Sequence, residues 1–192
     1  MLTLLTRPLR GLVNRVPSGN IMQKQTILAI PGSLRTGSSN HHILRFISGL
    51  LPADAGYQIY EDLATIPPFD PGLDNEQPPS PVIELRQLIA DAQAVIICTP
   101  EYAFGVPGQL KNALDWMVSS GSFSGKPTIL ITASTGGENA HPALLKVLGA
   151  IDADVVGDLL ISFVRSKMDS GGTLSDEQTI EQIELLVKSI LR

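Results

Sequence analysis

The chain has 192 residues, with 14 Lys+Arg against 19 Asp+Glu, a formal net charge of −5 and 43% hydrophobic residues. That length suits one domain burying roughly 70% of the surface its unfolded chain exposes, so neither metal nor disulfide is needed to complete a core. The charge balance disfavours nucleic acid as main partner, the single cysteine, Cys98, excludes an intrachain disulfide framework and fits a reducing, cytoplasmic compartment, and no apolar run is long enough to span a bilayer.

Residues 1–24 hold Arg7, Arg10, Arg15 and Lys24 with no acid, which leaves 10 basic and 19 acidic residues in the rest of the chain, a net −9. Basic and acid-free, the segment is either an organelle-targeting peptide or sequence upstream of a working start at Met22. The second is favoured, and both predict a flexible extension ahead of a single domain over 25–192. From Thr26 onward, short apolar runs alternate with helical patterns, which predicts a parallel sheet with helices on both faces. The expected strands are Thr26 to Ile30, Gln58 to Tyr60, Ala94 to Thr99, Thr128 to Thr132 and Val155 to Ile161. Two of them, VIICT and ILIT, are apolar throughout, as in strands covered on both sides.

Helices are expected where apolar residues recur at 3–4 spacing: Ile43, Leu44, Ile47, Leu50 and Leu51; Val82, Leu85, Leu88 and Ile89; Leu110, Ala113, Leu114 and Met117; Ile180, Ile183, Val187 and Ile190. Ser80-Pro81 reads as an N-cap with proline at the first helical position, and Ser175 with Gln178 as a capping box. The stretch from Pro67 to Pro81 holds six of the 14 prolines, which predicts a lid or a segment packed on a partner subunit. Five βα units predict the strand order 2-1-3-4-5 of a flavodoxin-like three-layer sandwich. Its ligands sit beyond the carboxyl ends of the strands, at the switch beside the first one.

The loop after the first strand, Pro31-Gly32-Ser33-Leu34-Arg35-Thr36-Gly37-Ser38-Ser39-Asn40, runs directly into a helix. Small residues at a helix N-terminus gather unpaired backbone N–H groups and the positive end of the dipole, which together hold an anion. The hydroxyls of Ser33, Ser38 and Ser39, the amide of Asn40 and the guanidinium of Arg35 add donors. Ser38 stands where a Walker A loop has its lysine, so a terminal monophosphate fits better than a triphosphate. Turning and capping alone would explain the Ser, Gly and Asn residues, but not Arg35. After the third strand comes Thr99-Pro100-Glu101-Tyr102-Ala103-Phe104-Gly105-Val106-Pro107-Gly108. Its glycines permit close approach of a flat ligand and its prolines stiffen the loop. Ordinary packing or a subunit contact is the alternative for Tyr102 and Phe104, and Lys111 with Asp115 reads as an i,i+4 surface pair.

GSLRTGSSN followed by PEYAFGVPGQLKNALDW resembles the NADPH-dependent FMN reductase family, which includes chromate and quinone reductases; the resemblance runs from about Thr26 to the C-terminus. It implies an FMN-dependent oxidoreductase that takes hydride from NADPH or NADH and passes two electrons to a quinone, chromate, azo or nitro compound or free flavin in a ping-pong cycle. By matching positions, Ser33, Leu34, Arg35, Ser38, Ser39 and Asn40 hold the FMN phosphate, and Pro100, Glu101, Tyr102 and Ala103 face the ring. Ser134, Thr135 and Gly136, after the fourth strand, lie at its polar edge. A homodimer or homotetramer is implied, with Pro67 to Pro81 and the helix bearing Trp116 as candidate interface elements. Many relatives read PEYN-x-S-x-PG, whereas this chain has Ala103 and Gly105; its Glu138-Asn139-Ala140-His141 replaces a glycine- and arginine-containing segment.

With the redox chemistry on the flavin, no side chain need be a nucleophile or obligate base. His41 and His42 point about 100° apart on a helix, which disfavours joint metal ligation. All three histidines read as surface or N-cap residues, and Cys98 as a buried, inert thiol. The absence of G-x-S-x-G lowers a serine-hydrolase reading, and Pro31-Gly32-Ser33 stands where a phosphoacceptor regulator would present acids. A flavodoxin-type electron carrier without NAD(P)H oxidation is the alternative function.

Overall fold

Residues 26–191 are described by a computed structural model of the chain; the expected extension over 1–24 lies outside the described residues. The buried strands send alternate side chains to opposite faces of the sheet, as the period of two requires. The strands are β1 Thr26–Pro31, β2 Gly56–Ile59, β3 Ala94–Thr99, β4 Pro127–Ala133 and β5 Asp154–Ile161, interleaved with helices α1 Ser39–Ser48, α2 Ser80–Asp91, α3 Gly108–Asp115, α4 Ala140–Ala150 and α5 Glu177–Lys188. All pairings are parallel, in the order β2-β1-β3-β4-β5, which is the expected flavodoxin-like arrangement. Leu28, Ile30, Val95, Ile97 and Leu130 pack with α2, α3 and α4 on one face. Ile27, Ala29, Ile96, Cys98 and Ile131 pack with α1 and α5 on the other. No described helix is long and apolar enough to cross a membrane.

Element ends moved by a residue or two. The second strand is Gly56–Ile59 rather than Gln58 to Tyr60, because its register with β1 begins at Thr26↔Gly56. α2 starts on Ser80 itself, with Pro79 in the capping place and Pro81 inside the first turn; the Pro79 carbonyl accepts from the N–H groups of Val82 and Ile83 at 2.9 and 3.2 Å. α5 is capped by Asp176, not Ser175: the Asp176 carboxylate accepts from the Thr179 N–H at 3.0 Å. The Ser175 N–H is drawn instead to the Lys167 carbonyl at 2.9 Å. Leu50 and Leu51 fall just past α1, Met117 past α3 and Ile190 past α5, yet all four still pack on the cores.

α4, between the fourth and fifth strands, buries Ala140, Leu144 and Leu148 at helical spacing. Of the histidines read as surface or N-cap residues, His41 and His141 do stand in the first turns of α1 and α4, but both are buried rather than on the surface, and His42 is half-buried. His141 Nδ1 lies 2.9 Å from Thr132 Oγ1, and its Nε2 lies 2.8 Å from Asp158 Oδ1. A β4 hydroxyl and a β5 carboxylate thus satisfy both ring nitrogens, so burial carries no unpaired polar atom. Lys111 and Asp115 do form the i,i+4 pair, at 2.6 Å.

The proline-rich segment is tied to the body. The Asn112 Nδ2 donates to the Pro67 carbonyl at 2.8 Å, the Phe69 N–H donates to Asn112 Oδ1 at 2.7 Å, and Trp116 Nε1 donates to the Pro67 carbonyl at 2.9 Å. Phe69 meets Trp116 edge-on, with ring centroids 5.0 Å apart. Trp116 is therefore fully buried and unavailable as a subunit contact, while Leu73, Ile83 and Val118 nearby are exposed.

Candidate functional site

The carboxyl ends of β1, β3, β4 and β5 open on one cavity of about 430 Å³, lined by Ser33, Arg35, Ser38, Ser39, Asn40, Pro100, Glu101, Tyr102, Ala133, Ser134, Thr135, Val164 and Arg165. Ten of these are residues expected from the sequence, brought together from three separate loops. Leu34, Ala103 and Gly136 do not line it. Leu34 lines a neighbouring cavity of about 350 Å³ that shares Arg35 and Tyr102. Ala133, Val164 and Arg165 were not anticipated. The rule that ligands gather at strand carboxyl ends, applied to the fifth strand as well as the first, would have pointed to Val164 and Arg165.

The first loop is locked before any ligand arrives. The Gly32 N–H donates to the Cys98 carbonyl at 2.8 Å and the Ser38 N–H to the Arg35 carbonyl at 3.1 Å, so the chain turns tightly from β1 onto α1. Ser38 caps α1: its Oγ accepts from the His41 N–H at 3.3 Å and lies 3.0 Å from His41 Nδ1. Glu61 sits 3.4 Å from His41 Nε2, so the ring is held between the Ser38 hydroxyl and a carboxylate. That hydroxyl is therefore occupied within the protein. Asn40 is partly engaged, its Nδ2 donating to the Ala133 carbonyl at 3.4 Å and its Oδ1 accepting from Cys98 Sγ at 3.3 Å, with one amide hydrogen left over. These two residues position the N-terminus of α1, and the groups left to meet a ligand are the Ser39 hydroxyl, the N–H groups of Ser39 and Asn40, the second Asn40 amide hydrogen and the guanidinium of Arg35.

The second loop closes on itself. Tyr102 and Gly105 exchange N–H···O bonds of 3.0 and 2.9 Å, with Ala103 and Phe104 between them at φ 49° and 60°. Two consecutive left-handed residues make a type I′ turn, which ordinarily takes Asn and Gly because a Cβ is disfavoured there. The turn pushes Phe104 into solvent, 81% exposed, and leaves Tyr102 half-exposed at the cavity rim. Tyr102 Oη lies 3.4 Å from Ser33 Oγ, so the first and second loops meet across the cavity.

Glu101 lines the cavity, and its carboxylate reaches the N-terminus of α4. It accepts from the N–H groups of Asn139 and Ala140 at 2.9 and 2.7 Å. The bond from Ala140, reinforced by that from Asn139, holds the carboxyl below its ordinary range, as expected for an anion at the positive end of α4. In the same loop the Ser134 N–H donates to the Ile161 carbonyl at 3.1 Å. Behind the cavity Cys98 is fully buried, and burial raises its thiol far above the ordinary range. Among the described residues no three of His, Cys, Asp and Glu lie close enough together to hold a metal.

The donor set fits a phosphate monoester better than a pyrophosphate. It has one helix N-terminus with unengaged N–H groups and no lysine, in a cavity of about 430 Å³. The sequence profile of the NADPH-dependent FMN reductase family matches residues 25–166. A quinone reductase of Escherichia coli K12 is 31% identical over 170 residues, covering 84% of this chain and 90% of that protein. An NAD(P)H-dependent FMN reductase of Pseudomonas aeruginosa is 31% identical over 171 residues, covering 85% and 92%. Among solved structures, the flavoenzyme NAD(P)H:(acceptor) oxidoreductase FerB of Paracoccus denitrificans superposes with a TM-score of 0.69 at 25% identity, covering 87% of this chain and 95% of that one. Two motifs in the right order, the fold and these similarities agree: the chain belongs to the NADPH-dependent FMN reductase family.

Proposed function

We propose that FMN lies across the 430 Å³ cavity, its phosphate at the N-terminus of α1 and its ring against the Pro100–Tyr102 segment, and that a quinone-type acceptor takes the electrons that NAD(P)H delivers. The observation that carries this reading is the convergence of α1's free N–H groups and Arg35 with the Tyr102 loop on one cavity. Bound FMN supplies the two-electron chemistry. The protein's part is to bind, orient and exclude. Arg35 and Ser39 neutralise and fix the phosphate, with Ser33, Ser38 and Asn40 holding the loop in shape. Pro100, Glu101 and Tyr102 present a stiff backbone edge, and Ser134 and Thr135 offer polar groups to the opposite edge of the ring. Leu34, Ala103 and Gly136 act from just outside, by shaping the loops.

The half-exposed Tyr102 and the exposed Phe104 and Leu34 form an apolar rim suited to stacking flat acceptors such as quinones, nitroaromatics and azo compounds. The exposed Leu73, Ile83 and Val118 support a homodimer or homotetramer, and the buried free thiol fits a cytoplasmic setting. The test is anaerobic. Protein loaded with FMN and freed of excess is mixed with NADPH or NADH, and then with a quinone. Bleaching of the yellow colour followed by its return on adding quinone is expected. Retained colour with no bleaching by either nucleotide would refute the reading in favour of an electron carrier. Arg35→Ala should weaken FMN binding by roughly 1.5–3 kcal/mol, the scale of a hydrogen bond between charged groups.

A further inference from the structure

Two cavity residues, Val164 and Arg165, belong to none of the three loops, and Arg165 is the charged one. Arg165 lies in a single 3-10 turn, Val164–Lys167, that follows β5, and it lines the same cavity as Arg35, Ser38, Ser39 and Asn40. The turn is firmly placed. Its Val164 N–H donates to the Ser134 carbonyl at 3.0 Å, and the preceding Phe163 N–H donates to the Thr135 carbonyl at 3.2 Å. Val164 is buried in the layer that also buries Ile43, Leu44 and Ile47 of α1. The chain beyond it packs on α1, where a Cβ at Gly172 would come within 3.0 Å of the His42 ring. Arg165 therefore approaches from the α1 side of the sheet, whereas the Tyr102 loop leads into α3 on the other side.

Its position beside Arg35 matters because, among the described residues, neither Arg35 nor Arg165 forms an ion pair. Two arginines without an ion-pair partner thus line one cavity, in a chain that carries a net −9 beyond residue 24. The cavity's carboxylate, Glu101, is engaged by the Asn139 and Ala140 N–H groups. What remains is a positive cavity flanking the free N–H groups of α1, matched to a ligand group of about two negative charges; a phosphate monoester carries about −1.5 to −2 at neutral pH.

We propose that Arg165 is a second phosphate-binding residue, which holds the FMN phosphate from the β5 side while Arg35 holds it from the β1 loop. The inference rests on the FMN reading above and adds a determinant of specificity to it. Two cations favour a dianionic monoester over the unphosphorylated flavin, which has nothing for either to grip.

The experiment is a titration of the flavin-free protein with FMN and with riboflavin, followed by quenching of flavin fluorescence, for the unaltered chain, Arg165→Gln and Arg165→Lys. Far-UV circular dichroism checks that each variant is folded. Arg165→Gln should weaken FMN about 10- to 100-fold, the scale of a lost charge-assisted hydrogen bond, and leave riboflavin binding unchanged. Arg165→Lys, which keeps the charge but loses the fork, should fall between. Rising salt should weaken FMN binding to the unaltered chain more steeply than to Arg165→Gln. Equal loss for both flavins, or no loss for FMN, would overturn the proposal. Failure of the unaltered chain to bind FMN at all would instead overturn the functional reading on which it rests.

Discussion

Gly32→Ala is the substitution for which the structure allows the fullest calculation. Gly32 is not among the residues at positive φ, so alanine there meets no conformational objection, only a steric one. Its Cβ would lie 2.1 Å from Thr99 Oγ1, 2.5 Å from Thr99 Cβ and 3.0 Å from Leu110 Cδ2. Thr99 is fully buried and β-branched, hence stiff at χ1. The Gly32 N–H is bonded to the neighbouring Cys98 carbonyl at 2.8 Å, so the loop cannot slide away without losing that bond. Overpacking of this kind costs about 1–3 kcal/mol where neighbours yield, and here they are backbone-tied; about 3 kcal/mol is expected. For a chain of this size that is a drop of about 6–12 °C in Tm. Urea and thermal unfolding, followed by circular dichroism, measure it. Thr99→Ala in the same chain should rescue only part, because the Thr99 Cβ itself is one of the clashing atoms, whereas Thr99→Gly should make room. A Gly32→Ala protein within about 0.5 kcal/mol of the original, the range of ordinary surface changes, would refute the close contact between the first and second loops.

Three further outcomes are expected. Ala103→Asn replaces a residue held at φ 49° by one that tolerates the left-handed region, and should raise stability by about 0.5–1 kcal/mol, part of the 1–2 kcal/mol that a left-handed residue costs; a lower urea midpoint would show that the turn is not strained. Glu101→Gln tests the cap on α4 by pH. Because the folded carboxyl is held below its ordinary 4.5, its contribution is present above that value and lost as pH falls through the depressed one. The stability gap between the two proteins should thus be wide at pH 7 and narrow in acid, and a gap independent of pH would remove the carboxylate from the cap. Cys98, buried with its thiol raised, should resist a thiol reagent at pH 8 in the folded protein and react at once in denaturant; rapid labelling of the folded chain would contradict its burial.

The alternation of apolar strands and amphipathic helices determined the architecture by itself. Runs such as VIICT can lie only between two helical layers, and five βα units joined by right-handed crossovers leave few topologies. The donor-rich loop and its arginine were likewise legible, since their character is local: small residues, hydroxyls and a helix start lie within ten consecutive positions. Caps were less legible, because Ser175 and Asp176 are both competent and only the reach of Ser175 to Lys167 decides between them. Other features depended wholly on tertiary contact. Nothing local says that Ser38 and Asn40 bond to His41, Ala133 and Cys98, or that the Glu101 carboxylate caps α4. Nor does any local pattern bury His141 between Thr132 and Asp158, or bring Arg165 from the far end of the sheet to the cavity that holds Arg35. Each of these is a hydrogen bond or approach between residues distant in sequence, and such pairings exist only once the sheet has set its strand ends side by side.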